Sequence, residues 1–110
     1  MAGASKTSRL LKRVGVTVLF YAQDGLCHIC GNKVGINPQG DHGSIDHVWP
    51  TALRDEANPK QIGNILLAHT KCNGGKDARK PTGCELIFLF AVNRRLGLPE
   101  HLTQRWDQAA

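Results

Sequence analysis

Residues Asn64–Lys76, NILLAHTKCNGGK, carry the densest chemistry in the chain. A short apolar run, Ile65-Leu66-Leu67, leads into His69, then Cys72 three residues on, then Asn73 and Lys76. Core packing asks for no such polar combination in one place. His69 and Cys72 are soft-metal donors, and the Asn73 amide oxygen beside them is a hard one. Upstream stretches supply partners: Cys27 and Cys30 for a metal, Asp46 and His47 for chemistry. The segment predicts two unlike metal sites, one structural and one catalytic.

Cys27-x-x-Cys30 and His69-x-x-Cys72 are two pairs at the same short spacing, with residues 31–68 between them. Four nitrogen and sulfur donors satisfy tetrahedral Zn²⁺ without an open position, which marks a structural site. A lone C-x-x-C also admits a redox dithiol, but the βαβ context of such a motif is missing here. A rival ligand set replaces His69 with Cys84. That thiol lies beyond Pro81 in an apolar helical stretch, where cysteine commonly serves as a small hydrophobe. His28, inside the first pair, is expected to face solvent. The second constellation is Asp46-His47 with Asn64 and Asn73, whose carboxylate and amide oxygens suit Mg²⁺ or Mn²⁺ better than Zn²⁺. The bland alternative is a solvated Asp-His pair at a strand end. Asp41-His42 repeats the dipeptide in a Gly-rich loop without an apolar flank.

Composition sets the outer bounds. The 110 residues are enough for one domain, with residues 1–7 a flexible start and residues 8–110 the domain. Three Phe, two Trp and one Tyr leave a small core, so a structural Zn²⁺, with an apparent binding energy of about 10–16 kcal/mol, would decide folding. The net charge of +5 and pI near 9.3 suit a polyanionic partner, nucleic acid first. No apolar run reaches membrane-spanning length, and no cleavage-site pattern follows the N-terminal patch. A cytoplasmic protein is the resulting expectation, in which four Cys point to metal or buried thiols before disulfides.

Periodicity predicts a helix over Ser8–Ala22, with Leu10, Leu11, Val14, Val18 and Tyr21 on its apolar face. Asp24-Gly25 signals a turn. Ser44–Trp49 and Asn64–Ala68 read as short strands, and Thr51–Gly63 as an excursion between them. Asn73–Lys80 reads as a helix ended by Pro81, Cys84–Leu96 as the clearest helix, ended by Gly97, and Pro99–Gln108 as a last turn or two.

The order CHIC, IDHVWP, GNILLAH, HTKCNGGK resembles the HNH endonuclease family, of the zinc-containing kind frequent in bacteriophage and bacteria. Its Asp-His strand is here Asp46-His47-Val48-Trp49-Pro50. Its middle Asn opens an apolar strand, here Asn64-Ile65-Leu66-Leu67, and its last motif is Cys72-Asn73 with Lys76 following. The likeness covers roughly residues 19–80. His69 stands where many members have Cys, and Asn73 where the family's name has its final His.

The resemblance implies an α+β fold: a small ββα-metal core with a structural zinc knuckle, flanked by N- and C-terminal helices. It implies His47 as the general base, Asn64 as the residue that braces it, and Asp46 with Asn73 as ligands of a catalytic Mg²⁺ or Mn²⁺. Cys27, Cys30, His69 and Cys72 would hold Zn²⁺, and Lys76 with Arg79 would contact the DNA backbone. The activity implied is nicking or cleavage of duplex DNA with little sequence preference, in phages together with terminase subunits, by a monomer or weak dimer. The competing class is a non-catalytic zinc-ribbon-like nucleic-acid-binding module in which Asp46 and His47 are incidental.

Overall fold

Two five-residue strands, the first with Ile45 and the second with a run of apolar residues that need cover, pair across a long connection. The computed structural model describes residues 15–35, 42–50, 61–76 and 79–107. In it β1 (Gly43–His47) runs antiparallel to β2 (Ile65–His69), with Ile45 opposite Leu67 and Asp46 opposite Leu66. β2 falls within one residue of its predicted stretch, while β1 begins one residue before the stretch predicted for it and ends two residues before that stretch does. A two-stranded hairpin is marginal in water, and this one is covered by helices. Residues 15–22 form helix α1, and α2 (Thr70–Lys76), α3 (Gly83–Leu96) and α4 (Glu100–Asp107) follow the hairpin.

Leu66, Leu67 and Ala68 are all fully buried, so β2 is covered on both faces. Helix α2 packs on both strands and α3 on β2. The core adds Leu19 and Ala22 from α1, Cys27 and Val34 from the knuckle region, Val48 after β1, Leu86, Leu89 and Val92 from α3, and Trp106 from α4. The C-terminal helices therefore belong to the same core as the hairpin.

Helix α3 is framed by a capping box, Thr82 bonding the Glu85 amide and Glu85 bonding back, and ends on Gly97 in the left-handed conformation. Helix α2 starts three residues earlier than its sequence predicts, and Arg79 and Lys80, placed in the predicted helix, are not helical. Gly74 and Gly75 each cost it about 1 kcal/mol against Ala, so contacts at its two ends must hold it. Of the apolar face predicted for helix α1, Leu10, Leu11 and Val14 lie outside the described residues, and the other two positions do not face inward. Leu19 and Ala22 face the core while Val18 and Tyr21 are exposed, because Val16, Val18, Leu19 and Phe20 are apolar around the helix and cannot by themselves set the inward face. Ser8, where the predicted helix starts, and residues 1–7 and 51–60 lie outside the described residues.

Leu67, opposite Ile45, turns its own N–H and C=O away from β1. The Gln23 side chain takes their place in a ladder: the Leu67 N–H donates to Gln23 Oε1 at 2.6 Å, and Gln23 Nε2 donates to the Leu67 carbonyl at 3.0 Å. The His28 N–H adds a second donor to that carbonyl at 3.1 Å. One buried amide thus does for the outer edge of β2 what a third strand would do. Gly63, at φ +97°, packs so closely that a Cβ would run into the Leu102 carbonyl oxygen, and Asn93 Nδ2 donates to the Gly63 carbonyl at 2.9 Å. Replacing Gln23 by Leu should destabilise the protein by about 1–3 kcal/mol, the penalty for a buried group left unpaired. Urea denaturation with an unchanged m-value would show it.

Candidate functional site

The knuckle forms because a turn through Asp24 and Gly25, both at positive φ, sends the chain from α1 into the C-x-x-C segment. There the Gly31 N–H donates to the Cys27 carbonyl and the Cys27 N–H to the Asn32 carbonyl. At the junction of β2 and α2, His69 ends the strand and Cys72 lies in the first helical turn. The donor atoms of Cys27, Cys30, His69 and Cys72 all lie within 4.8 Å of one another. His69 Nε2 points at the Lys33 carbonyl 2.8 Å away. A carbonyl can only accept, so Nε2 carries the proton and Nδ1 presents its lone pair to the sulfurs.

Those sulfurs stand 3.3 Å (Cys30) and 3.7 Å (Cys72) from Nδ1. Tetrahedral zinc, with bonds of about 2.3 Å to sulfur and 2.0–2.1 Å to nitrogen, sets sulfur and nitrogen about 3.5 Å apart. The four residues fit the ion. Cys84 is exposed and outside this cluster, so the rival ligand set fails.

The cluster's electrostatics favour a cation. Burial pushes the Cys27 thiol up, but amide N–H groups from Ile29 and His69, each 3.4 Å from its sulfur, and donation from Cys30 bring it down to about 6. Burial and the neighbouring sulfurs push Cys72 up to about 11. The Lys33 carbonyl is the main influence raising His69. Crowded sulfurs that resist sharing negative charge are what a divalent ion relieves.

Helix α2 crosses the Ser44/Asp46 face of β1. Three helical residues match two strand residues, so Asn73 meets Ser44 and Lys76 meets Asp46. Asn73 Nδ2 donates to Ser44 Oγ and the Ile45 carbonyl, both at 3.1 Å. Lys76 Nζ reaches Asp46 Oδ2 at 2.8 Å, the His47 carbonyl at 3.1 Å and the Val48 carbonyl at 3.4 Å. The lysine side chain is only 3% exposed. It is a buried counter-ion, and the predicted surface contact with a DNA backbone is therefore corrected. Arg79 is exposed, 2.7 Å from Glu85 Oε1.

His28 also departs from expectation. Its ring is wholly buried, with Nε2 2.6 Å from Asp46 Oδ2 and Nδ1 3.8 Å from Glu85 Oε2. The residue that follows Cys27 turns inward because its own N–H is tied to β2, not to solvent. Burial pushes the Asp46 carboxyl up, but hydrogen bonds and charge from His28 and Lys76 outweigh it and hold the group below its ordinary value. Glu85 is treated likewise: Arg79 and Thr82 outweigh its burial and hold it down.

His47 follows Asp46 at the end of β1 and is half-buried. Burial and Lys76 lower its pKa while Asp46 raises it, and the net direction is down, toward the neutral ring. Asn64, fully buried, grips the backbone just past it: the Trp49 N–H donates to Asn64 Oδ1 at 2.8 Å, Asn64 Nδ2 to the Trp49 carbonyl at 3.1 Å, and the Val48 N–H to the Asn64 carbonyl at 2.9 Å.

Residues 27–79 match the family model described as HNH endonuclease. This stretch belongs to the HNH endonuclease family. The HNH segment begins at Cys27, takes in both strands and α2, and ends at Arg79. HNH nucleases act on DNA and use a divalent metal. No curated protein matches the chain. No helix among the described residues is long and apolar enough to cross a membrane.

Gln23 and Glu85 escaped the sequence reading, and His28 entered it only as a solvent-facing residue. For Glu85 a signal exists, since Thr82-Gly83-Cys84-Glu85 has capping-box spacing. Nothing local reveals its second carboxylate oxygen facing His28.

Cys72→Ser should lose zinc and leave the chain unfolded, as far-UV circular dichroism and metal analysis would report; a folded, zinc-free variant would refute the assignment. Zinc affinity of the intact chain should rise from about pH 6 to about pH 8, because the thiols release protons on binding. Chelator competition would measure it. Lys76→Met should cost about 3–5 kcal/mol, the cost of leaving a buried carboxylate without its cation. Asp46 is held below its unfolded value, so its contribution is present at neutral pH and is lost as pH falls through and below the ordinary carboxylate range. Acid unfolding of the Lys76→Met protein should therefore start at higher pH than in wild type.

Proposed function

We propose that the chain is a metal-dependent DNA endonuclease that hydrolyses phosphodiester bonds, nicking or cutting duplexes with little sequence preference. The observation that carries this reading is His47, half-buried, shifted toward its neutral form and flanked by Asp46, within the HNH segment.

Phosphodiester hydrolysis needs a nucleophile made at neutral pH, and a neutral imidazole takes a proton from water. Asn64 acts as a positioning residue by clamping the chain at Val48 and Trp49. Asp46 and Asn73 would hold Mg²⁺ or Mn²⁺. Among the described residues, every hydrogen bond to Asp46 falls on Oδ2, and those of Asn73 leave from Nδ2. That distribution leaves one hard oxygen on each side chain for a hard cation. When bound, the ion supplies charge neutralisation at phosphorus and at the departing oxygen. Arg79, exposed at the end of the HNH segment, is the cation for a backbone phosphate, and binding resting on such contacts is strongly salt-dependent.

Residues 8–110 act in this reading as one cytoplasmic nuclease domain, monomeric or weakly dimeric, with terminase subunits of a phage as partners in DNA packaging. The Asp46–Lys76 pair gives the second reading its one support, since a purely structural carboxylate would be paired the same way. In that case the chain binds nucleic acid without cutting it.

A supercoiled plasmid separates the two. Wild type should nick it with Mg²⁺ or Mn²⁺ and fail with EDTA, while His47→Ala should lose about 10²–10⁴-fold in rate at unchanged thermal stability. The acid limb of the wild-type rate profile should lie below the ordinary imidazole range, because the base must be neutral and its pKa is lowered. Equal nicking by both proteins would end the His47 assignment.

A further inference from the structure

His28 and Glu85 form an arrangement that neither the zinc cluster nor the nuclease reading uses. Asp46 is ionised and can only accept, so the 2.6 Å contact requires His28 Nε2 to donate to its Oδ2. The ring then presents the Nδ1 lone pair on its other edge. Opposite it, 3.8 Å away, stands Glu85 Oε2. Neither atom has a hydrogen-bond partner among the described residues, and both are buried, with side-chain exposures of 0% and 7%.

Two acceptors facing each other out of reach of solvent are unfavourable unless something positive or proton-donating lies between them. A hydrogen bond from a doubly protonated ring would need a shorter approach than 3.8 Å. Glu85 Oε1 is held by Arg79 at 2.7 Å and by Thr82 N–H and Oγ1 at 3.2 and 3.1 Å, which aims Oε2 at the gap. A cleft of about 440 Å³ is lined by His28 and Glu85 together with Arg79, Thr82, Cys84 and Phe88.

From this we infer a second soft-cation site, in which His28 Nδ1 and Glu85 Oε2 bind a divalent transition ion and Asp46 orients the imidazole from behind. The ligand atoms of His28, Asp46 and Glu85 lie within 4.8 Å of one another. A carboxylate–histidine–metal chain is the usual way a ligating imidazole is fixed. One nitrogen and one oxygen donor suit Zn²⁺ or Co²⁺ better than Mg²⁺. Tetrahedral zinc would set nitrogen and oxygen donors about 3.4 Å apart, so a small side-chain rotation closes the gap onto it. The site is separate from the proposed catalytic ion, which uses Asn73 and the other oxygen of Asp46.

The test uses the full chain already carrying one Zn²⁺ in the cysteine cluster. Calorimetric titration with further Zn²⁺, without Mg²⁺ or Mn²⁺, should show one additional binding event. Glu85→Gln, which keeps the capping box because Gln serves at that position, and His28→Asn should each weaken that event by at least about 10-fold, the lower end of what losing even an outer partner costs. Asn73→Ala should leave it unchanged. In wild type the ¹⁵N resonance of His28 Nδ1 should move on addition of Zn²⁺, a readout that needs no variant to fold. Absence of the second event, a Nδ1 resonance that does not respond, or an event lost in Asn73→Ala and kept in Glu85→Gln would each overturn the site. The last of these would place the ion at the proposed catalytic position instead. Failure of plasmid nicking with this second event intact would count against the nuclease reading alone.

Discussion

Four donor atoms within 4.8 Å of each other tie together two stretches separated by residues 31–68. The first is a turn after α1, the second the joint where β2 becomes α2. Neither is stable alone: the turn is irregular, the hairpin has two strands, and α2 has seven residues with two glycines. The orientation of His69 is what makes convergence possible. Its Nε2–H is spent on the Lys33 carbonyl, so Nδ1 faces the sulfurs before any ion arrives. A metal bond of this kind is comparable in size to the whole net stability of a small domain, about 5–15 kcal/mol. Every element that carries Asp46, His47 or Asn73 is positioned against this anchor.

From the anchor, α2 runs over β1 and delivers Lys76 into the interior. The ammonium there meets one carboxylate oxygen and two backbone carbonyls, which compensates a charge that burial would otherwise make costly. The same carboxylate holds His28, and His28 in turn faces Glu85 at the capped start of α3. A continuous polar path therefore crosses the molecule from α2 through β1 and the knuckle to α3. His47, at the end of β1, is half-buried and biased toward neutrality.

Much of this was legible in local patterns. The Cys and His pairs announced a closed sulfur-rich site by spacing alone, because a metal ligand pair at i and i+3 works in any fold that lets the pairs meet. The strands and α3 followed from short apolar runs and from Gly97 and Pro81 as punctuation. Val18 and Tyr21, expected on the inward face of α1, are exposed, since Val16, Val18, Leu19 and Phe20 offer apolar residues on more than one side. Gln23 as a stand-in strand was invisible, as an amide in a sequence carries no mark of which backbone it will pair with.

Lys76 shows where the division lies. The sequence by itself determined that a cation follows Cys72-Asn73 one helical turn on, that four soft donors exist in two pairs, and that Asp46 and His47 adjoin at a strand end. Those are matters of composition, order and period. Only the tertiary structure decided that the lysine turns inward to Asp46, that His28 is buried and Glu85 faces it, and that Cys84 stays outside the zinc cluster. Each of these depends on which chain segment lies opposite, and the packing of α2 and α3 on the hairpin sets that through contacts between residues far apart in sequence.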